Sequence, residues 1–185
     1  MPGEDAAVAK PKDRQDVGAA PMARERWRRL AWRLVLIVDV GFVLWGAMAA
    51  LAPDHLPGTG GAPILTAGYE GYTGGAWQGL EQVSPKTAGF MTLLFRVYGA
   101  YNVAFGVLAV AIAAAPFRRG EAWAWWALLV GNTIALGAAM TYDRIARAIG
   151  PFEMSEYVGL AAIYAALAVT PPFLAAGRQP SSGKR

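Results

Sequence analysis

The chain has 185 residues, 55% of them hydrophobic and 16% charged, with a formal net charge of +4. The charges sit in clusters and leave long uncharged runs, which excludes an ordinary soluble domain, and the positive balance lies mainly in the tails, which marks topology and excludes a nucleic-acid partner. The lack of cysteine excludes disulfides, thiolate metal sites and thiol redox chemistry, and the single histidine, His55, excludes a bis-His haem or a multi-His metal site within one chain. No catalytic residue, cofactor or metal is therefore expected.

Residues 1–28 are rich in Ala, Pro, Lys and Asp without apolar periodicity, and read as a disordered basic tail. It ends in Arg24-Glu25-Arg26-Trp27-Arg28-Arg29, a cationic cluster with an interfacial tryptophan, as a lipid-surface anchor requires. A membrane domain over 29–174 follows. Its first helix is expected at about 30–51. Arg33 lies one turn in and can snorkel to the surface. Asp39 lies near the centre and cannot do so cheaply. Ala47-Met48-Ala49 resembles a cleavage site, but the long preceding segment and the buried carboxylate favour a retained helix over a signal peptide.

Residues 52–87 form the one long connection. Gly58, Gly60, Gly61, Gly68, Gly71, Gly74, Gly75 and Gly79, with Pro53, Pro57, Pro63 and Pro85, predict an irregular Gly-rich outer loop. Its aromatics Tyr69, Tyr72 and Trp77 favour a lid packed on the helices, and 77–83 has the makings of a short interfacial helix.

The second membrane helix is expected at about 88–115, ending at Pro116 and the basic turn Arg118-Arg119-Gly120. It carries Arg96 and Asn102. The third is expected at about 122–140, opening on the aromatic belt Trp123, Trp125 and Trp126, with Asn132 near its middle. Residues 141–156 read as an amphipathic connection in which Asp143 and Arg147, four apart, can pair. The fourth helix is expected at about 152–170, stopped by Pro171 and Pro172. Residues 175–185 form a cytoplasmic tail. The fold class is all-α: a polytopic, antiparallel four-transmembrane-helix bundle.

Lys and Arg crowd the segment before the first helix, the 118–119 turn and the C-terminal tail, while Lys86, Arg144 and Arg147 are the basic residues of the opposite side. The positive-inside rule then puts both termini in the cytoplasm and 52–87 and 141–156 outside. Asp54, Glu70, Glu153 and Glu156 would form an acidic outer rim.

Asp39, Arg96, Asn102 and Asn132 form the candidate intramembrane polar site. With the first helix running out and the second running back, an Asp39–Arg96 pair would satisfy both charges, either as a structural clamp or as a gated ion or proton site. Asn102 and Asn132 are expected to hydrogen-bond across helices, and small residues (Gly99, Gly106, Gly131, Gly159) to let the helices approach closely. The bulky tryptophans close the inner end, so access is expected from outside.

An arginine followed by Tyr-Gly in "FRVYGAYNVAFG", then "FRRGEAWAWWAL", resembles the uncharacterised four-helix membrane proteins loosely grouped as DoxX-like. The resemblance covers residues 88–147 and implies a four-helix bundle in a bacterial cytoplasmic membrane. It carries no catalytic residue. The functional expectation is a non-enzymatic protein of the bilayer that binds a small apolar or amphiphilic ligand, or serves as an accessory subunit to a membrane partner or to its own copies. The alternatives are a small proton- or ion-coupled transporter and, third, a membrane enzyme acting on a lipid-like substrate, for which the sequence offers no motif.

Overall fold

The computed structural model describes residues 13–150 and 153–171, with side chains from Glu25 onward. The described residues are helical and contain no strand. In chain order the α-helices are α1 (Asp13–Leu51), α2 (Ile64–Thr73), α3 (Trp77–Val83), α4 (Pro85–Ile112), α5 (Ala122–Ala146) and α6 (Met154–Ala168). The stretches Glu25–Leu51, Pro85–Phe117 and Ala122–Ala146 are long and apolar enough to cross a membrane; α6 is shorter. Between 22% and 28% of each apolar stretch is buried inside the protein. Leu44, Ile37, Leu108 and Ile134 are among the large apolar side chains facing outward. Water would not tolerate this surface, and hydrocarbon would.

α1 shows why the helices assemble. Ala31, Val35, Asp39, Gly46 and Ala49 are buried, at helical spacing, so one stripe faces inward. α1 packs most extensively on α4 and also on α6, while α5 packs on α6. Glycine sets the α1–α4 distance. A methyl group at Gly46 would lie 2.7 Å from Gly99 O and Val103 N, and one at Gly106 would lie 2.9 Å from Val43 N. The two backbones therefore touch, antiparallel, through small residues. The core is dense at the tryptophan-rich end, where Val35, Ala113, Leu128, Ile163 and Leu167 meet.

Several boundaries differ from expectation. α1 begins at Asp13, ahead of the expected start at 30; Ala, Arg, Glu and Gln in this stretch are good helix formers. α4 begins at Pro85, a residue suited to a first helical position. It ends in a π-helical turn, Ala113–Phe117, with Pro116 inside it. Proline cannot donate to the α-ladder, and a widened turn accommodates it. α5 continues to Ala146, so residues 141–146 belong to the helix and not to a connection. α6 runs from Met154 to Ala168, within the expected 152–170; Phe152, the segment 1–12 and the tail 175–185 lie outside the described residues.

The 52–87 connection is the largest correction. It is mostly helical: two short 3-10 turns, Pro53–His55 and Thr59–Gly61, then α2 and α3. Two of its glycines are contact residues and not breakers. A side chain at Gly68 would strike the Tyr142 hydroxyl, and one at Gly71 would strike the Ala146 carbonyl, so α2 lies directly on the end of α5. Gly74, at φ 73°, makes the turn that ends α2. Glu70 then accepts the Trp77 backbone N–H at 2.9 Å, and Trp77 Nε1 donates to Glu81 at 2.9 Å. Trp77 packs with Leu65 and Ala88, which ties α3 to the start of α4.

The other end is fastened by the 118–123 turn. The Arg118 guanidinium sits 5.1 Å from the Trp32 ring centroid on α1. Glu121 accepts from Arg119 Nε at 2.7 Å and from Trp123 Nε1 at 2.7 Å. Arg119, and then the indole, hold the Glu121 carboxyl below its usual pKa.

Candidate functional site

Asp39 lies in the middle of the buried stripe of α1 and is 0% exposed. Asn132 of α5, 1% exposed, is the side chain that approaches it. The approach does not complete a hydrogen bond by geometry: both Asp39 carboxyl oxygens and Asn132 Oδ1 are buried without a partner. Asn132 Nδ2 donates to the Leu128 carbonyl of its own helix at 3.0 Å. Asn102 likewise donates to Tyr98 O at 2.9 Å. The interhelical bonds expected of the two asparagines are thus replaced by bonds one turn back along each helix, a local option that competes with longer-range partners.

Arg96 does not join this site. Among the described residues the ion pairs are Arg28–Glu25, Arg29–Glu25 and Arg119–Glu121. Arg96 is exposed while Asp39 is sealed. Helix register is the reason. Gly99 lies against Ala49 and Ala50, and Gly106 against Val43. Extrapolated along the same antiparallel register, Asp39 is level with the region around Ala109, while Arg96 is level with the end of α1. The separation is about thirteen residues, or roughly 20 Å of helix rise, beyond the reach of an arginine side chain.

The expected acidic rim also divides. Asp54 and Glu70 are exposed, and Glu70 is committed to the Trp77 amide. Glu153 is 1% exposed and accepts the Gly150 N–H at 2.8 Å through Oε2, leaving Oε1 without a partner. Glu156 is half-buried beside Asp143, with Glu153 close by. Asp143 does not pair with Arg147. Arg147 leaves the helix at φ 54° and is exposed, whereas Asp143 stays on the buried face of α5. The nearby Arg144 turns to Tyr157 instead, donating to its hydroxyl at 3.3 Å.

Of these groups Glu156 lines a cavity of about 390 Å³. α1 contributes Phe42, Trp45 and Met48, α4 contributes Tyr98 and Asn102, α5 contributes Leu136 and Ala139, and α6 contributes Ser155, Glu156 and Gly159. Leu56 and Pro57 of the 52–84 segment form its lip. That lip is held by Ile64 N–H donating to Leu56 O at 2.9 Å and Gly58 N–H donating to Ala62 O at 2.7 Å. The volume falls in the range of small-molecule sites, and the wall is mostly apolar with a few polar groups, the pattern such sites show. Trp45 packs edge-on against Tyr98 and Phe95, with centroids 5.6 and 6.2 Å away, and its buried Nε1 has no partner.

Of the residues singled out from sequence, the structure therefore brings Asp39 to Asn132, places Asn102 and Glu156 on the cavity wall, and leaves Arg96, Asp54 and Glu70 outside. The sequence reading offers Tyr98 only as a hydroxyl for the polar interior, and it does not single out Trp45 or the buried Asp143 as site residues. Asp143 had a signal: it follows Leu136 by seven residues and precedes Ala146 by three, on one helical face. No family model matches the chain, and no curated protein and no solved structure is similar to it.

Proposed function

We propose that this is a four-helix protein of a bacterial cytoplasmic membrane, antiparallel, with α6 as the fourth crossing and both termini in the cytoplasm, and that it binds a small apolar or amphiphilic ligand between its helices without transforming it. The cavity walled by Phe42, Trp45, Tyr98, Leu136 and Gly159 is the observation that carries this reading. The outward apolar surface of the three long helices and the basic 118–119 turn support the placement in the bilayer. The resemblance of residues 88–147 to DoxX-like proteins points the same way.

The ligand reading predicts that native mass spectrometry of the purified protein finds a bound small molecule, and that Ala139→Phe, which fills the cavity, removes it while the melting temperature changes little. Retention of the same molecule by the filled variant would place its site elsewhere. The orientation is read with single cysteines, since the chain has none of its own. Cysteines at Gly60 and Ile149, both exposed, should react with an impermeant thiol reagent added outside, and one at Gly183 should not; the reverse pattern would invert the topology.

A second reading, a proton-coupled transporter, draws its support from Asp39, a buried carboxyl without a countercharge in a membrane helix. Proton-driven flux in proteoliposomes that is lost in Asp39→Asn would favour it over simple binding.

A further inference from the structure

The cavity has an unbalanced end. Glu156 forms part of its wall, Asp143 stands beside Glu156, and Glu153 is close behind. Asp143 is 4% exposed and Glu153 is 1% exposed, and Asp143 Oδ2, Glu153 Oε1 and Glu156 Oε2 are buried without hydrogen-bond partners. No ion pair among the described residues reaches any of the three. Arg144 is turned to Tyr157 and Arg147 is exposed. Carboxyls gathered out of water, two of them close enough to share a proton and none with a cation, favour a positively charged occupant where Glu156 meets the cavity.

The remaining walls specify what kind of cation. Among the described residues no group of His, Asp and Glu is arranged to hold a metal ion. The cavity that Glu156 lines is bounded also by Phe42, Trp45, Met48, Tyr98 and Leu136. Aromatic faces suit an ammonium and its adjoining carbon atoms, and an apolar wall of this size suits a hydrocarbon or ring body. Ser155 and Asn102 add hydrogen-bonding groups along the same wall.

We propose that the cavity takes an amphiphilic organic amine, its ammonium group against Glu156 with Asp143 behind, and its apolar body between Trp45, Tyr98 and Leu136. This rests on the ligand-binding reading above and gives it a substrate class. The ammonium donates to the Glu156 carboxyl, the acidic group that the cavity wall presents. A charge-assisted bond in such a place discriminates strongly against a neutral isostere.

Three probes with one body and three charges test it: 4-phenylbutylamine, 4-phenylbutanol and 4-phenylbutyrate. Binding is measured at pH 7 by equilibrium dialysis against the full-length protein in nanodiscs of uncharged lipid, with empty nanodiscs as the blank. The amine should bind at least tenfold more tightly than the alcohol, and the carboxylate should not bind. Glu156→Gln should bring the amine to the level of the alcohol. If alcohol and amine bind equally to the wild-type protein, the cavity binds ligands but the charge assignment is wrong. If none of the three binds, the ligand-binding reading itself is overturned. The wild-type comparison decides the matter even where Glu156→Gln does not fold.

Discussion

Gly99→Ala should lower the stability of the folded protein in detergent by about 3 kcal/mol, at the upper end of what overpacking costs, because the obstacle is backbone. The added methyl group would stand 2.5 Å from Ala50 N and 2.8 Å from Gly46 O. No rotamer change relieves a clash with a main chain, so α1 and α4 must separate along their whole contact. Gly89→Ala and Gly137→Ala are the controls: both are helical and have nothing within 4 Å of the new Cβ. There alanine should be neutral or stabilising by up to about 1 kcal/mol, from helix propensity alone. Thermal melts of the three variants check the contrast. Equal losses at all three positions would mean that α1 and α4 do not meet as described.

Asp39→Asn should move stability in the opposite direction, raising it by about 1–3 kcal/mol, the usual cost of a buried polar group left unpaired. The wild-type carboxyl and Asn132 Oδ1 are acceptors without partners. An asparagine of the same shape brings a donor to face that oxygen. Arg96→Gln should change little, because Arg96 is exposed and far from Asp39 along the helix axes. The double variant should then equal the sum of the singles within about 0.5 kcal/mol. A destabilising Asp39→Asn rescued by Arg96→Gln would instead demonstrate a contact between the two. A more stable Asp39→Asn protein that no longer supports proton-driven flux would be the signature of a group retained for work at the expense of stability.

What could be read from the sequence was what depends on composition along one segment. The three long apolar stretches, the turn at Gly120, the tryptophans at the start of α5 and the short helix at Trp77–Val83 all follow from local patterns, whereas Pro116 does not stop its helix as expected but lies inside a π-helical turn. What could not be read depends on register between segments. Asp39 and Arg96 look well matched when each is measured from its own end of a 30 Å layer. Their true separation is fixed by Gly46, Gly99 and Gly106, whose contact level no single-segment argument contains. The same limit hid α2. Gly68 and Gly71 look like helix breakers, and only Tyr142 and Ala146 on α5 explain why a helix needs to be bare there. Asp143 was displaced from the interior by a helix end drawn six residues early, which turned a buried carboxyl into a surface one.

α6 carries a consequence for the surrounding lipid. At fifteen residues it is about 22 Å long, against a hydrocarbon layer of about 30 Å. Its neighbours α1, α4 and α5 each have length to spare. In the proposed role of a fourth crossing it would leave a deficit of roughly 8 Å on one flank of the molecule, which the bilayer would meet by thinning there. Ser155 and Glu156 lie in the first turn of α6 and line the cavity, so a leaflet thinned there would draw lipid headgroups down beside it. Amphiphiles already dissolved in the membrane would then reach the cavity sideways, from within the leaflet. Thermal stability should accordingly be greatest in short-chain lipids and decline as the acyl chains lengthen, a mismatch response set by one helix and independent of what the cavity holds.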